Sequence, residues 1–199
     1  MMFAVANDPR SGPAFLDRLR SRDETTLQQV VHEYLPQILR AARGAGLSPQ
    51  DAEDTAQSTF LTFFEKIDTF AGRSHVRTWL FGILYRKISE MRRAAQRESQ
   101  AEDIDDVMES RFKADGLWAR PPRGADEGVL GEEIRLHLAD CLERVSTDQR
   151  VAFVLREVEE MESPEICRIM AVSRSNLGVL LYRGRNLLRE CLDKKNIKG

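Results

Sequence analysis

Two helix starts lie only ten residues apart in the segment 163–191, and this spacing limits how the chain can fold. The segment reads SPEICRIMAVSRSNLGVLLYRGRNLLREC. Ser163 precedes Pro164, a residue suited to the first helical turn, and Ser173 offers a second N-cap. A first helix of about eight residues is too short to be stable alone, since isolated helices below about 12–15 residues are marginal. It must pack on the second helix, so the segment predicts a helix-turn-helix.

Apolar residues at helical spacing predict further helices across most of the chain. The longest such face consists of Leu27, Val30, Val31, Tyr34, Leu35, Ile38, Leu39 and Ala42. Pro36 lies inside this stretch and is expected to kink or divide the helix. Ser48 is expected to cap a second helix, and a third is expected to begin near Trp79, which we assign to the core. Strand patterns are nearly absent, so we predict an all-α protein.

Composition divides the chain into two small helical domains joined by a linker. The segment 98–131 lacks helical periodicity, begins with the acidic run ESQAEDIDDVMES and contains Pro121, Pro122 and several glycines. We therefore expect a flexible tail at residues 1–21, a first domain at 22–97, a flexible acidic linker at 98–131 and a helix-turn-helix domain at 132–199.

Charges are segregated along the chain, although the formal net charge is only −2. The segment 77–97 and the segment 183–198 are both rich in arginine and lysine, and the acidic run lies between them. Two basic surfaces are suited to binding a polyanion such as a nucleic acid at two places. Each surface taken alone is as typical of a solvated helix face as of a nucleic-acid contact. The acidic linker can favour a compact arrangement in which the two domains partly cover each other's basic faces.

Cysteine usage and hydropathy indicate a soluble, cytoplasmic protein. The three cysteines lie far apart and form no CxxC pair, which argues against a disulfide framework and fits a reducing compartment. The N-terminal segment has no signal-like apolar core, and no apolar run reaches membrane length. His137 and Cys141 share a predicted helix face, but no second pair follows at zinc-ligand spacing. We therefore expect no metal and no cofactor.

Two blocks of sequence carry a family resemblance. The first reads DAEDTAQSTFLTFFEKIDTF and continues to RTWLFGILYRKISEMRR, and the second runs from LERVSTDQRVAF to the end of the helix-turn-helix. Together they resemble bacterial sigma factors of the extracytoplasmic-function (ECF) group. The resemblance implies a non-catalytic factor that binds core RNA polymerase, recognises two promoter elements and assists DNA melting. It also implies an anti-sigma factor as a partner.

The resemblance further implies roles for individual residues. The polymerase-binding positions are Asp51, Asp54 and Gln57. The positions for melting and for the minus-ten element are Phe70, Ser74, His75, Arg77, Arg86, Arg92 and Arg93. The helix-turn-helix positions for the minus-thirty-five element are Arg174, Ser175, Asn176, Tyr182, Arg183 and Arg185. Gly178 and Leu180 stand where many relatives carry lysine or arginine, which thins the positive surface.

A stand-alone helix-turn-helix regulator is the alternative interpretation. Such a regulator would bind duplex DNA without polymerase, and its first domain would serve dimerisation or sensing. A sigma factor would bind promoter DNA strongly only in complex with core polymerase.

Overall fold

Helices account for all regular structure in the described part of the chain. The computed structural model describes residues 12–98, 137 and 140–195. The helices are α1 (Pro13–Arg20), α2 (Glu24–Gly44), α3 (Pro49–Glu65), α4 (Val76–Glu98), α5 (Thr147–Phe153), α6 (Ser163–Met170) and α7 (Arg174–Lys194). A 3-10 turn (Ile67–Thr69) follows α3, a π-helical turn (Val154–Val158) follows α5, and residues 140–143 are also helical. The predicted all-α fold class is confirmed. The predicted linker 98–131 begins at Glu98, which is still the last residue of α4, and the rest of it lies outside the described residues.

The N-terminal domain forms around α2, α3 and α4. Ser48 caps α3 as predicted, because its hydroxyl accepts a hydrogen bond of 3.1 Å from the Asp51 N–H. Pro36 was expected to kink or divide the first long helix, and it does not divide it, since α2 runs through Pro36 without interruption. Proline removes one backbone donor, and the apolar face of α2 on either side of it, including Val30 and Ile38, is buried in the core. Packing of this face holds the helix together across the missing bond.

The N-terminal tail was predicted to be flexible up to residue 21, but residues 13–20 form α1. Pro13 lies in its first turn, where the missing N–H costs nothing. Phe15 and Leu19, four residues apart, are buried against the domain. The Arg20 guanidinium also donates a hydrogen bond of 2.9 Å to the Phe70 carbonyl, which joins α1 to the loop before α4.

The helix-turn-helix is present as α6 and α7, with one difference at its start. Glu162 rather than Ser163 is the N-cap of α6, because the Glu162 and Glu165 side chains form a reciprocal capping box. Helix α6 ends at Met170, and the C-cap residue that follows, Ala171, has a φ of 54° in the left-handed region. Ser173 caps α7 as predicted and accepts a hydrogen bond of 3.1 Å from the Asn176 N–H.

A disulfide joins Cys141 to Cys191, contrary to the expectation from cysteine spacing. The two residues are 50 positions apart in sequence, but their Cα atoms lie 5.7 Å apart. Both are buried in a small cluster with Val145 and Leu188, where the helical residues 140–143 meet the end of α7. Spacing along the chain did not reveal this proximity, which tertiary packing creates.

The two domains pack directly against each other through a shared apolar core. Helix α4 is the main contact of α6, and α2 contacts α5 and the π-helical turn. The facing apolar residues are Ala41, Phe81, Leu84 and Ile88 on one side and Val151, Val154, Leu155 and Ile169 on the other, and they leave a cavity of only about 10 Å³. The close fit is clearest at Gly44, where an added Cβ would lie 2.7 Å from a Val154 methyl carbon. The described residues therefore form a closed arrangement of the two domains.

Candidate nucleic-acid and protein interfaces

The acidic start of α3 presents two predicted partner-binding residues to solvent. Asp54 and Gln57 are exposed on neighbouring turns of the helix. Asp51 is also exposed, but its carboxylate accepts a hydrogen bond of 2.6 Å from the Ser48 hydroxyl, which belongs to the helix cap. Asp51 therefore has a structural task at the helix start, while Asp54 and Gln57 lie beyond that cap.

Leu61 extends the same face and was missed by the sequence analysis. It follows Gln57 by four residues, and 56% of its surface is exposed. Its neighbours Phe60 and Phe63 are buried, so the helix has turned this leucine away from the core. A break in the apolar periodicity of α3 was the signal available in the sequence. The face combines an acid, an amide and an apolar group, which suits contact with another protein.

The loop between α3 and α4 does not present Phe70 to solvent as the prediction implied. Phe70 is only 6% exposed, and its ring stacks on Trp79 at a centroid distance of 4.7 Å and an interplanar angle of 9°. Trp79 also lies 5.1 Å from Phe63, which supports its assignment to the core. Phe70 therefore anchors the base of the loop and offers no free ring face for a nucleobase. Ser74 and His75, which follow it, are partly exposed.

Arg77 is engaged by the C-terminal domain. Its guanidinium donates hydrogen bonds to the Gln37 amide oxygen at 2.8 Å, the Glu159 carbonyl at 2.7 Å and the Glu159 carboxylate at 3.1 Å. Arg40 donates to the same carboxylate at 3.2 Å. The Glu159 side chain is almost fully buried, and two arginines compensate its charge. A cation expected to contact DNA thus holds the two domains together.

Two further polar contacts join the domains along α4. Thr78 donates a hydrogen bond of 2.8 Å to Glu165 in α6, and the Tyr85 hydroxyl donates one of 3.0 Å to Asp148 in α5. Burial, with a further contribution from the Asp148 carboxylate, raises the pKa of Tyr85. Tyr85 therefore remains a hydrogen-bond donor at neutral pH, and the contact to Asp148 persists there.

The remaining predicted cations of α4 differ in their accessibility. Arg86 and Arg93 are exposed, and Arg93 donates a hydrogen bond of 3.2 Å to the Ser89 carbonyl one turn earlier. Arg92 is partly buried and donates to the Ala45 carbonyl at 3.4 Å. Burial lowers the pKa of the Arg92 guanidinium, which still remains charged at neutral pH. Arg86 and Arg93 are thus available to a polyanion in the closed arrangement, whereas Arg92 is partly withdrawn.

The first turn of α7 places three predicted residues in solvent. Arg174, Ser175 and Asn176 are all exposed, and the Ser173 cap fixes the start of the helix at this turn. Leu177 is buried and anchors the turn to the core. This arrangement matches the demand that a recognition helix present its N-terminal residues to a DNA groove.

Further along α7, one of the predicted DNA-binding residues is held by a salt bridge within the protein. Tyr182 and Arg183 are exposed, but Arg185 forms a salt bridge with Glu157 from the π-helical turn. This pair is solvent-accessible, and such pairs contribute little to stability, about 0–1 kcal/mol. Arg185 can therefore exchange its internal partner for a phosphate at low cost.

Neither a metal cluster nor a membrane span occurs within the ranges that the structure describes. No group of three or more His, Cys, Asp and Glu side chains there is arranged to hold a metal ion. None of the described helices combines the length and apolar character needed to cross a membrane.

Two family models match the chain, one in each domain. Sigma-70 region 2 matches residues 30–98, and Sigma-70 region 4 matches residues 135–188. The first match covers α3 with its exposed face and α4 with its arginines. The second covers the helix-turn-helix.

Individual sigma factors are also similar to this chain in sequence. A probable RNA polymerase sigma factor of Haemophilus influenzae is 36% identical over 153 residues, which cover 72% of this chain and 78% of that protein. The ECF RNA polymerase sigma-E factor of Escherichia coli K12 is 26% identical over 145 residues, 73% of each chain.

Two solved structures share the fold. CnrH in complex with the cytosolic domain of CnrY has a TM-score of 0.66 and 20% identity, covering 92% of this chain and 98% of that one. The sigma factor RpoE in complex with the anti-sigma factor NepR from Bartonella quintana has a TM-score of 0.63 and 24% identity, covering 83% and 96%.

Proposed function

Because this chain belongs to the extracytoplasmic-function group of bacterial sigma factors, we propose how its described surfaces divide the work of transcription initiation. The chain is an alternative sigma factor that directs core RNA polymerase to promoters. It acts by binding, and the nucleotidyl transfer is carried out by the polymerase. The observation that carries the assignment is the match of regions 2 and 4 in the two domains. Promoter-specific transcription from core polymerase with this protein added tests it directly, since a stand-alone regulator would not support such transcription.

The exposed face of α3 docks on core polymerase. Asp54 and Gln57 support this role because they are exposed beyond the helix cap, and Leu61 adds an apolar contact on the same face. A short apolar anchor surrounded by polar groups is typical of a protein interface.

Replacing Asp54 with arginine and Gln57 with alanine is expected to weaken binding to core polymerase at least tenfold and to leave the helical content unchanged. An acid-to-base change at a charge-complementary interface costs more than the lost contact, because it adds repulsion. Affinity for core enzyme and circular dichroism should be measured together. The control variant carries the same two exchanges, Asp17→Arg and Gln29→Ala, at exposed positions of α1 and α2. Equal affinity in both variants would contradict the docking assignment.

The melted strand and the minus-ten element are bound by the loop before α4 and by the arginines of that helix. Ser74 and His75 border the loop, and Arg86 and Arg93 are exposed along α4. Cations beside a shallow loop suit a single strand, whose phosphates and unstacked bases are both accessible. Arg77 joins this surface when the C-terminal domain moves away from it, whereas Arg92 bonds to the Ala45 carbonyl of its own domain.

The first turn of α7 reads the minus-thirty-five element in the major groove. Arg174 and Asn176 are suited to guanine and adenine edges respectively, and Ser175 can bond to either. Arg183 and Arg185 are suited to phosphates, and Tyr182 lies between the two sets.

Alanine at Arg174 or Asn176 is expected to cost about 1–3 kcal/mol at the preferred upstream element and to relax its sequence preference. Alanine at Arg185 should instead weaken binding to all sequences alike, because a phosphate contact carries no sequence information. Selection from randomised upstream elements, performed with each variant in complex with polymerase, separates these outcomes. An unchanged preference in the Arg174 variant would indicate a different docking register for α7.

Binding to both promoter elements requires the two domains to separate. Elements at minus ten and minus thirty-five are about 25 base pairs apart, or about 85 Å along B-DNA at 3.4 Å per base pair. A compact chain of this length spans only about 40 Å. The closed arrangement therefore represents the free factor, and opening releases Arg77 from Glu159.

We also propose a cytoplasmic location, where the polymerase works, and an anti-sigma factor as a partner. The latter proposal is supported by the fold shared with a factor that was solved in complex with an anti-sigma protein. The earlier hypothesis that the acidic linker promotes closure concerns residues outside the described ranges.

A further inference from the structure

The recognition helix α7 exposes a valine where a base-reading surface would be expected to be polar. Val179 is 45% exposed. It follows Ser175 by four residues and Asn176 by three, so it continues the face that those residues present. A single exposed apolar side chain is common on protein surfaces, but Val179 lies on the face proposed to read DNA, so its chemistry bears on which base groups that face can recognise.

The preceding residue strengthens this observation. Gly178 lies inside α7, where glycine costs about 1 kcal/mol relative to alanine. A Cβ built at this position would meet nothing within 4 Å in the described protein, so packing within the domain does not require the glycine. The neighbouring Gly184 differs, because its Cβ would lie 3.4 Å from the Gln149 carbonyl oxygen. Glycine on an open helix face lets the backbone approach a partner closely, and Gly178 is adjacent to Val179.

We propose that Val179 recognises the C5-methyl group of a thymine in the minus-thirty-five element. This methyl is the apolar group of the major-groove edge, and the other groups displayed there are hydrogen-bond donors and acceptors. The valine methyls can pack on it but cannot bond to a polar base edge. The inference rests on the proposed DNA-reading role of α7, and it names thymine as a base that this helix selects.

The neighbouring residues define where this thymine lies. Residues three apart on a helix are separated by about 4.5 Å along its axis, close to the base-pair rise of about 3.4 Å. Asn176 and Val179 therefore address the same or adjacent base pairs. An adenine bound by the Asn176 amide next to a thymine bound by Val179 is the expected pattern.

Removal of the thymine methyl tests the contact without changing any hydrogen-bonding group of the base. Selection with the polymerase complex first defines the preferred upstream element, and each thymine in it is then replaced singly by deoxyuridine. At one thymine the parent complex is expected to lose about fourfold in affinity, the equivalent of one buried methyl group. In the Val179→Ala complex the thymine-to-deoxyuridine affinity ratio at that position should fall toward one.

Val158→Ala is the matched control. Val158 is an equally large apolar residue that is 49% exposed in the same domain, but it lies in the π-helical turn outside α7. The Val158→Ala complex should keep the fourfold ratio, even if its overall affinity changes. Circular dichroism of both variants checks that the helices are intact.

The outcomes separate the inference from the function on which it rests. If the complex shows no sequence preference at the upstream element, the proposed role of α7 fails. If the preference exists but deoxyuridine is tolerated at every thymine, or the selected element contains no thymine, the Val179 contact alone is wrong. If the Val179→Ala complex kept the fourfold thymine-to-deoxyuridine ratio, the Val179 contact would also be wrong, and another side chain would contact the thymine methyl group.

Discussion

Reduction of the Cys141–Cys191 disulfide is expected to lower the free energy of unfolding of the C-terminal domain by about 2–4 kcal/mol. The bond joins positions 50 residues apart and thereby ties the start of the domain to the end of α7. Cutting a cross-link of this span gives the unfolded chain more freedom, and the loss of stability follows from that gain. Urea unfolding followed by circular dichroism, with and without dithiothreitol, measures the difference.

Cysteine variants make this experiment specific. Replacing both Cys141 and Cys191 with alanine should give a protein that resembles the reduced parent and no longer responds to dithiothreitol. Cys167 is a free thiol in α6, and its replacement by alanine should leave the response intact. An identical unfolding midpoint in oxidised and reduced parent, with thiol titration confirming both states, would contradict the stabilising role.

Gly44→Ala is expected to open the closed arrangement of the two domains. The new Cβ would lie 2.7 Å from one Val154 methyl carbon and 3.2 Å from the other, and Val154 is itself buried. Overpacking of this kind costs about 1–3 kcal/mol, which shifts the balance between closed and open forms by about 5- to 150-fold. Alanine also suits a helix better than glycine, so α2 itself should be stabilised. Small-angle scattering should record a larger radius of gyration for the free protein.

Two further variants control for effects other than the overlap. Gly82→Ala makes the same exchange inside α4, where a Cβ meets nothing within 4 Å, and should leave the radius unchanged. Gly44→Ala combined with Val154→Ala removes the clashing methyls, since the Val154 Cβ would lie 3.6 Å away in ordinary contact, and should restore compactness. A Gly44→Ala protein as compact as the Gly82→Ala protein would show that the domains are not held together at this point.

Local chemistry made parts of this structure predictable from the sequence. The caps at Ser48 and Ser173 depend on hydrogen bonds over three residues, so their pattern is visible in a short segment. The helix-turn-helix follows from those caps and from apolar spacing. The outward position of Asp54 and Gln57 follows from the apolar face of α3 that opposes them.

Features created by long-range packing were not predictable in the same way. Arg77 is a residue type that commonly contacts DNA. Its carboxylate partner, Glu159, belongs to the other domain, so the sequence around Arg77 does not reveal the pair. The family resemblance assigned Phe70 to the DNA surface, and a loop sequence alone does not indicate which rings point inward. The stack on Trp79 places this ring in the core. The cysteine pair escaped notice for the same reason, since only the folded domain brings its members together.

The core that the two domains share has a consequence for gene expression. If only open molecules bind a promoter, the apparent dissociation constant equals the intrinsic constant divided by the open fraction. Each 1.4 kcal/mol in favour of the closed form therefore weakens binding to every promoter about tenfold. Substitutions at Ile169 or Leu155, buried where the domains meet, would then raise or lower the occupancy of all target promoters by one common factor. Substitutions in the first turn of α7 would reorder the promoters instead. The strength and the selectivity of the transcriptional response can therefore change independently of each other.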